Sequence, residues 1–301
     1  MARSLRGALA VMRVGLLFIL CLAAGMAVAY PGEMHQQLSF VAARQFNRCV
    51  EGTDIPALTT LNVRYAARSS SAEAEAGFFR GLVRWQFYDR NHRTQGGNRL
   101  LWVVETRMHE RFDATVTALM HNQDQADRYT RLGRLVSHIQ DVTAPVIVVP
   151  IYYERFWYFS TRDRFSEFPL TLDDHRGHLD ELCPALLSTP RDYTFEALLT
   201  DTAERTVAAI RGSIQDMGTT WQVFWREAGE GEFGAYGAAG NSFGTDVSFP
   251  CGRKECRLLH NDPLYFEFAQ DRHKDAVLAT MRAFLLAQRG ALAARPAPTK
   301  E

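Results

Sequence analysis

The chain has 301 residues, 34 of them basic and 34 acidic, so its formal net charge at neutral pH is zero. No block of like charge stands out, which argues against a dedicated nucleic-acid patch and against a helix that lies on a membrane surface. With 47% hydrophobic residues, the chain has the length and apolar content for one large domain with its own core.

The first 29 residues have the form of a signal peptide. Three arginines precede the run VGLLFILCLAAGMAVA, and residues 27–29 (Ala-Val-Ala) form a small-x-small cleavage site. Leucine rather than a small residue precedes Cys21, which argues against a lipoprotein anchor. The apolar run is short for a membrane span, although an uncleaved anchor stays an alternative. We therefore expect a periplasmic or secreted protein that begins at Tyr30 and has no transmembrane span after cleavage.

Helical periodicity dominates the chain after this leader. Helices are predicted over residues 35–46, 72–85, 100–121, 126–141, 194–226 and 262–289, where apolar residues recur three and four positions apart. The last helix opens with Asp262 as a cap and Pro263 at the first helical position, where proline is favoured. We expect an all-α fold with a single multi-helix domain over 30–289 and a disordered tail over 290–301.

Two segments interrupt the helical pattern. The stretch VIVVPIYYERFWYF (146–159) is apolar and aromatic but contains a proline, which favours a long buried connector over a central strand. A membrane-facing patch is the alternative for this stretch. The stretch GEGEFG (229–234) matches the dinucleotide fingerprint, but a Trp-rich helix is predicted before it where the fingerprint needs a strand. We interpret this second segment as a Gly-rich loop.

A second formal motif match lies at GNSFG (240–244), which has the Gly-x-Ser-x-Gly form of a nucleophile elbow. Asp262 or Asp271, and then His273, follow it in the chain order of a serine hydrolase triad. The elbow also needs a strand before it and a helix after it, and neither flank has that pattern. A serine hydrolase using Ser242 is therefore a remote alternative.

Four cysteines follow the leader. They are Cys49, Cys183, Cys251 and Cys256. In an oxidising compartment an even number of cysteines indicates disulfides, and CGRKEC is the natural local loop, which leaves the other two as partners. Spacing alone does not fix the pairing. The Cys-x4-Cys pair could instead hold a metal, but no second pair or nearby His-x3-His would complete such a site.

A polar cluster ends the helix predicted over 126–141. At 100° per residue, Ser137 and Asp141 lie one turn apart on one face, and His138 lies about 60° from Asp141. The ordinary interpretation is a solvated face, because this face lies opposite the apolar stripe. A metal site would need donors from elsewhere. Signal cleavage would provide one, a free α-amino group on Tyr30, five residues before His35.

These residues resemble the zinc-dependent phospholipase C and single-strand-specific nuclease superfamily. Its members are secreted all-α enzymes that hydrolyse phosphodiesters with three clustered metal ions. The stretch YPGEMH is similar to the mature N-terminus of the nuclease branch, and WQFYDR (85–90) is similar to the family's His-Phe-Tyr-Asp stretch. LGRLVSHIQDVTAPVIVVP resembles a family helix that bears His and Asp one turn apart, followed by Pro and a second His. The resemblance covers roughly residues 30–167.

The resemblance implies one metal site whose ligands all stand in this chain. In the family, the residues that match the Tyr30 amine, His35 and Asp141 bind one metal ion together. The family's last ligand pair is a His followed four residues later by a carboxylate. In this chain the stretch DRFSE has Asp163 and Glu167 at that spacing.

The other two metal sites of the family depart from the pattern. Three positions that carry imidazoles in the family fall on Gln86, Ser137 and Ile147. Isoleucine cannot bind a metal, and serine and glutamine are poor zinc ligands. Glu73 or Glu75 would have to replace the aspartate that the family has before its Phe-Tyr-Asp stretch.

Two hypotheses follow from these matches and departures. The first is a metal-dependent phosphodiesterase, acting on phospholipid or single-stranded nucleic acid, with a site reduced to as little as one zinc ion. It would use Tyr30, His35 and the catalytic candidate Asp141, together with His138, Asp163 and Glu167. The second hypothesis is a non-catalytic exported binding or scaffold protein that keeps the fold.

Overall fold

Eight α-helices make up most of the described part of the chain, and three small antiparallel hairpins lie between the last two of them. The computed structural model describes residues 30–74, 87–88, 108–121, 124–149, 151, 163–170, 179–227, 229 and 234–293. No helix within these ranges is long and apolar enough to cross a membrane. The predicted all-α domain is confirmed as a mainly helical one, and the hairpins depart from the prediction.

The elements follow one another in chain order. The helices are α1 (Gly32–Cys49), α2 (Thr60–Ala74), α3 (Met108–Met120), α4 (Gln125–Asp141), α5 (Pro145–Val148), α6 (Leu182–Leu187), α7 (Phe195–Arg211) and α8 (Pro263–Ala293). The strands are β1 (Ser213–Ile214), β2 (Thr219–Thr220), β3 (Trp225–Arg226), β4 (Ala235–Tyr236), β5 (Val247–Cys251) and β6 (Lys254–Leu258). Each odd-numbered strand pairs with the strand that follows it.

Helix α4 is the central element of the bundle, because it packs against α2, α3 and α8. The Asp124 side chain caps it by accepting a hydrogen bond from the Asp127 N–H at 2.8 Å. The predicted apolar stripe is buried at every position, namely Tyr129, Leu132, Leu135, Val136 and Ile139. Its sequence pattern therefore predicted both the helix and the face that it buries.

The last turn of α4 is buried on its polar side as well. Ser137, His138 and Gln140 are at most 2% exposed, and Asp141 is 9% exposed. The interpretation of this face as solvated is therefore wrong. Helices α1 and α8 pack over this turn and bury it. The periodicity of a single helix does not show which other helices will cover it.

A glycine sets the closest approach between α4 and α2. A Cβ atom on Gly133 would overlap the carbonyl oxygen of Ala66 and lie 2.8 Å from the Cβ of Ser69. The absent side chain lets the two backbones come close. The Ser69 hydroxyl then donates a hydrogen bond to the carbonyl oxygen of Thr130 at 2.7 Å, which joins the two helices at this point.

The segment predicted as one helix over 194–226 is a shorter helix followed by two hairpins. Thr194 caps α7 through the Ala197 N–H, and the helix ends at Arg211. Gly218 adopts a φ of 63° in the turn that joins β1 to β2. The helix itself ends earlier, because its C-cap residue Gly212 has an extended backbone with a φ of −61° and a ψ of 147°. The prediction of a single helix to residue 226 is therefore wrong.

Two disulfides hold the described chain together. Cys49 at the end of α1 pairs with Cys183 in α6, and Cys251 pairs with Cys256 across the β5–β6 hairpin. The local loop therefore pairs as its spacing suggested. The first bridge closes a segment of 134 residues, so it limits the unfolded chain more than the second does.

The predicted connector and tail lie only partly within the described residues. Residues 145–148 form the buried turn α5, and Ile151 forms a parallel bridge with Gly234 of the Gly-rich loop. The aromatic stretch over 152–162 lies outside the described ranges, so its burial stays a prediction. Of the tail predicted as disordered, residues 290–293 belong to α8.

An aromatic cluster fills the space between the hairpins, the start of α8 and the turn after residue 163. We define it as Phe165, Trp221, Phe224, Trp225, Phe243, Tyr265 and Phe268. Trp225 stacks on Phe268 with ring centroids 5.7 Å apart and an interplanar angle of 16°. Stacked and edge-to-face pairs of this kind are favourable beyond the area that they bury. The GNSFG loop takes part through Phe243.

Candidate metal centre

The candidate centre lies where the start of α1 meets the end of α4. Tyr30 lies two residues before the start of α1, His35 lies in its first turn, and Asp141 is the last residue of α4. Tyr30 and His35 are fully buried. The carbonyl oxygen of Pro31 accepts hydrogen bonds from the N–H groups of Met34 and His35, at 2.9 and 3.2 Å, and so starts the helix that carries the imidazole.

Both nitrogens of the His35 ring face side chains of α4. Nδ1 lies 2.7 Å from Oε1 of Gln140, which is a short hydrogen bond. Nε2 lies 3.2 Å from Oδ1 of Asp141. That second contact is within ion-pair distance but does not have hydrogen-bond geometry, and neither atom has another hydrogen-bond partner in the described part of the chain. A buried nitrogen and a buried carboxylate oxygen are thus left facing each other, an arrangement that requires a physical explanation.

The distance between these two atoms fits a shared metal ion. Two ligands of a tetrahedral zinc ion, each bonded at roughly 2.0–2.1 Å, lie about 3.3 Å apart. The 3.2 Å between His35 Nε2 and Asp141 Oδ1 is close to that value. The hydrogen bond from Nδ1 to Gln140 leaves Nε2 as the ring nitrogen that can bind. Imidazole and carboxylate are both ordinary zinc ligands, so these two side chains suit the metal.

The described side chains do not complete this site by themselves. Within the described ranges, no group of three or more His, Cys, Asp or Glu residues is arranged to hold a metal ion. Zinc takes at least three protein ligands in most sites. A third donor would therefore come from outside these described side chains, for instance from the amino group that cleavage before Tyr30 would create.

The Tyr30 side chain fixes the position of the residue that would carry this amino group. Its hydroxyl lies 3.1 Å from Oγ1 of Thr143, and that hydroxyl donates to the carbonyl oxygen of Gln140 at 2.8 Å. Because the proton of Thr143 is committed, Tyr30 is the donor in the first bond. Burial raises the pKa of the Tyr30 phenol far above its usual value. The phenol therefore stays neutral and acts as an anchor for the chain.

His138 lies on α4 within the same polar region but is not brought into a ligand group with His35 and Asp141. It is 2% exposed, and its Nδ1 has no hydrogen-bond partner. Burial lowers the pKa of the imidazole, although the nearby charges of Asp141 and Glu73 act in the opposite direction. Arg111 holds the Glu73 carboxylate at 2.6 Å. A neutral His138 is the result.

The structure places Asp163 and Glu167 in different surroundings. Asp163 is 1% exposed, and its Oδ2 accepts hydrogen bonds from Trp225 Nε1 at 2.9 Å and from the Tyr236 hydroxyl at 3.1 Å. Its Oδ1 accepts one from the Phe165 N–H at 3.1 Å. Glu167 is exposed at the end of the same short turn. Neither residue joins His35 and Asp141 in a group of three ligands.

The positions that lack the family's imidazoles form part of the core. Ser137 is 1% exposed and Ile147 is 3% exposed. The carbonyl oxygen of Ile147 accepts a hydrogen bond from the Tyr88 N–H at 3.0 Å, so the Phe-Tyr stretch runs beside the turn at Pro145. Gln86 lies outside the described residues. The two stretches that carry the resemblance are therefore neighbours in space, but Ile147 offers the site only an apolar side chain.

Two further buried residues, absent from the sequence prediction of the site, lie close to it. Gln140 is fully buried and contacts His35 directly. His273 on α8 is fully buried, and its ring centroid lies 5.9 Å from that of Tyr30. Neither of its ring nitrogens has a hydrogen-bond partner, so it does not form a nucleophile–base pair with Ser242. Burial, helped by Arg272, lowers the pKa of His273 to about 3.

The helical periodicity of α4 could have identified Gln140 as a buried polar residue. It lies four residues after Val136 and next to Ile139, so it stands on the buried stripe of α4, where a polar residue is unusual. No family model, curated protein or solved structure matches this chain.

Proposed function

We propose that this chain is an exported phospholipase C/nuclease-like protein that binds one zinc ion and hydrolyses phosphodiesters with it. One observation carries the proposal, namely that His35 Nε2 and Asp141 Oδ1 face each other at 3.2 Å, are buried and share no hydrogen bond. Two such atoms repel each other unless a cation or a proton lies between them. The two disulfides of the chain suit export to an oxidising compartment.

Three groups of this chain would hold the ion. His35 would bind through Nε2, Asp141 through Oδ1, and residue 30 through the amino group that signal cleavage would expose. A bound zinc ion supplies Lewis-acid polarisation of a phosphoryl oxygen and activation of water. The reduced ligand set argues for one ion where the family has three, because Ile147 and Ser137 take the places of imidazoles.

The exposure of the two side chains indicates where a substrate would approach. The His35 side chain is fully buried, whereas the Asp141 side chain retains 12% of its accessible surface. A phosphodiester would therefore reach the centre from the Asp141 side, and His35 would bind the metal from within the core. The buried, neutral His138 one turn earlier would keep the site free of a second fixed positive charge.

The exported and processed protein tests this proposal. We expect one zinc ion per chain by elemental analysis and hydrolysis of phosphatidylcholine or of single-stranded DNA. Asp141→Asn keeps the size of the side chain but removes its charge, so it should abolish both metal uptake and hydrolysis. Glu167→Gln, an exposed carboxamide replacement, is the matched control and should change neither. Less than one ion per chain together with no hydrolysis of either substrate would rule the proposal out.

The second candidate function is that of a non-catalytic exported binding or scaffold protein. It is favoured by the hydrogen bonds that engage Asp163 fully and by the apolar side chain at Ile147, since both features remove ligands from the site. In this case Asp141→Ala would change stability or partner binding, and there would be no hydrolytic rate for it to remove. A rate that this substitution abolishes would reject the scaffold hypothesis.

A further inference from the structure

We infer that Gln140 is a positioning residue that fixes the tautomer and orientation of His35, so that Nε2 faces Asp141 without a proton. This role in the metal site depends on the proposed function above, but the orientation of His35 does not. The residue at 140 belongs to α4 and precedes Asp141 directly. Two consecutive residues of one helix therefore face the two nitrogens of one imidazole.

The hydrogen bonds around Gln140 determine which way its amide points. Its Nε2 lies 3.2 Å from the hydroxyl of Ser39 and 3.1 Å from the hydroxyl of Thr280. Ser39 donates its own proton to the carbonyl oxygen of His35 at 2.8 Å, and Thr280 donates to the carbonyl oxygen of Ala276 at 2.7 Å. Each hydroxyl has only one proton, so both must accept from the amide. The NH₂ group therefore faces the hydroxyls.

The oxygen of the same amide must then face His35. Oε1 of Gln140 can only accept, and it lies 2.7 Å from Nδ1 of the ring, so Nδ1 carries the proton. In a neutral imidazole the other nitrogen is then a bare acceptor. The hydroxyls of Ser39 and Thr280 thus orient the amide of Gln140, and the amide in turn places the proton of a neutral His35 ring on Nδ1.

The network also has the rigidity that a positioning role requires. Gln140 is fully buried, and its partners lie on α1 and α8, so its side chain joins three helices. All of its polar atoms are engaged, which makes a second rotamer costly. Partners of this kind orient metal-binding histidines, and their removal typically lowers metal affinity by roughly 10–100-fold.

The test uses the ring ¹⁵N chemical shifts of His35 in the exported protein after zinc is removed, at a pH above the ordinary titration range of imidazole. We expect a protonated Nδ1 and an unprotonated Nε2 in the natural chain. In Gln140→Met the acceptor is lost, so the proton should move to Nε2, where the Asp141 carboxylate can accept from it. A purely structural residue would lower stability without changing the tautomer. Zinc affinity should fall by roughly 10–100-fold in this variant.

Gln45→Met is the matched control. Gln45 is also a buried glutamine, 3% exposed, and its amide donates to Asp180 at 3.0 Å, away from the centre. It should lose stability to a similar extent and keep both the tautomer and the zinc affinity. Gln140→Glu retains an acceptor oxygen and should keep the proton on Nδ1. If Gln140→Met does not fold, the tautomers of the natural chain and of Gln140→Glu test the positioning role, because a proton on Nε2 in either protein would contradict it.

The possible outcomes separate this inference from the proposed function. A natural chain with its proton on Nε2, or a Gln140→Met protein with an unchanged tautomer, overturns the positioning role even if zinc binds. A natural chain that takes up no zinc overturns the proposed function. If the tautomer of that zinc-free protein still inverts in Gln140→Met, the control of His35 by Gln140 is supported on its own.

Discussion

Asp141 and Asp163 are both buried carboxylates, but the regions around them differ in the number of hydrogen-bond donors that they offer to the carboxylate. Beside the aromatic cluster, Asp163 accepts hydrogen bonds from Trp225, Tyr236 and the Phe165 N–H. At the end of α4, Oδ1 of Asp141 faces a ring nitrogen of His35 and has no hydrogen bond. The Asp163 carboxylate is therefore satisfied by neutral hydrogen-bond donors, whereas Oδ1 of Asp141 keeps lone pairs that could bind a ligand.

This difference separates a structural carboxylate from a candidate ligand. Buried polar groups are nearly always hydrogen-bonded, so each exception in a well-packed region indicates a role or a missing partner. Burial alone would have ranked Asp163 as the stronger candidate, because it is less exposed than Asp141. The hydrogen-bond partners reverse that ranking. A buried carboxylate is a better ligand candidate when its lone pairs are unused.

The largest expected effect tests the structural half of this comparison. Asp163→Ala should lower the free energy of unfolding by about 3 kcal/mol or more, because the donors of Trp225 and Tyr236 lose their acceptor while they stay largely buried. Urea unfolding followed by tryptophan fluorescence measures the change. The control is Asp141→Ala in the zinc-free protein, which should cost less than about 1 kcal/mol because no hydrogen bond to Oδ1 is lost. Equal losses in both variants would contradict the comparison.

The next effect concerns pH and depends on His273. Burial lowers the pKa of this imidazole to about 3 in the folded state, whereas the unfolded chain binds a proton at an ordinary value of about 6.5. The unfolded state therefore holds more protons between these two values, and stability must fall as the pH decreases through that window. At about pH 5 the loss from this residue is about 2 kcal/mol.

His273→Phe should remove much of this dependence. Phenylalanine suits the contacts that the ring makes with Tyr30 and Phe165, and it leaves no unsatisfied nitrogen in the core. At neutral pH we expect the variant to be as stable as the natural chain or more so. Unfolding midpoints measured across the acidic range provide the check. Some pH dependence will stay, since burial also lowers the pKa of His138.

The smallest expected effect is that of Glu167→Ala. The side chain is exposed at the end of a short turn and is not grouped with other possible metal ligands. The free energy of unfolding should change by no more than about 0.5 kcal/mol, and the zinc affinity should stay the same. Calorimetric titration with zinc and thermal unfolding measure these two quantities. A clear loss of zinc affinity would show that the side chain of Glu167 contributes to the centre.

Much of the helical framework was predictable because it depends on local patterns. The stripe of α4 and the Pro263 start of α8 follow from periodicity and from the preference of proline for the first helical position. The hairpins were not predictable in the same way. Strands β1 to β4 contain two residues each, so their side chains show no alternation that could be distinguished from a helix.

The site was predictable as a set of residue types but not as a set of contacts. His35 and Asp141 were identified from the resemblance, and the structure brings them within 3.2 Å of each other. Asp163 was equally plausible from its spacing to Glu167. Only the fold shows that residues more than sixty positions away occupy its lone pairs. Gln140 was missed because glutamine carries no chemistry of its own and matters here only through its neighbours.

The contact at Gly133 has a consequence for how freely this chain can vary. A single methyl group at this position, two turns before Asp141, cannot be added without moving α2 or α4. Because Asp141 lies on the same helix, a shift of α4 at Gly133 would also move the carboxylate relative to His35. The geometry of the centre therefore depends on a glycine that takes no part in its chemistry.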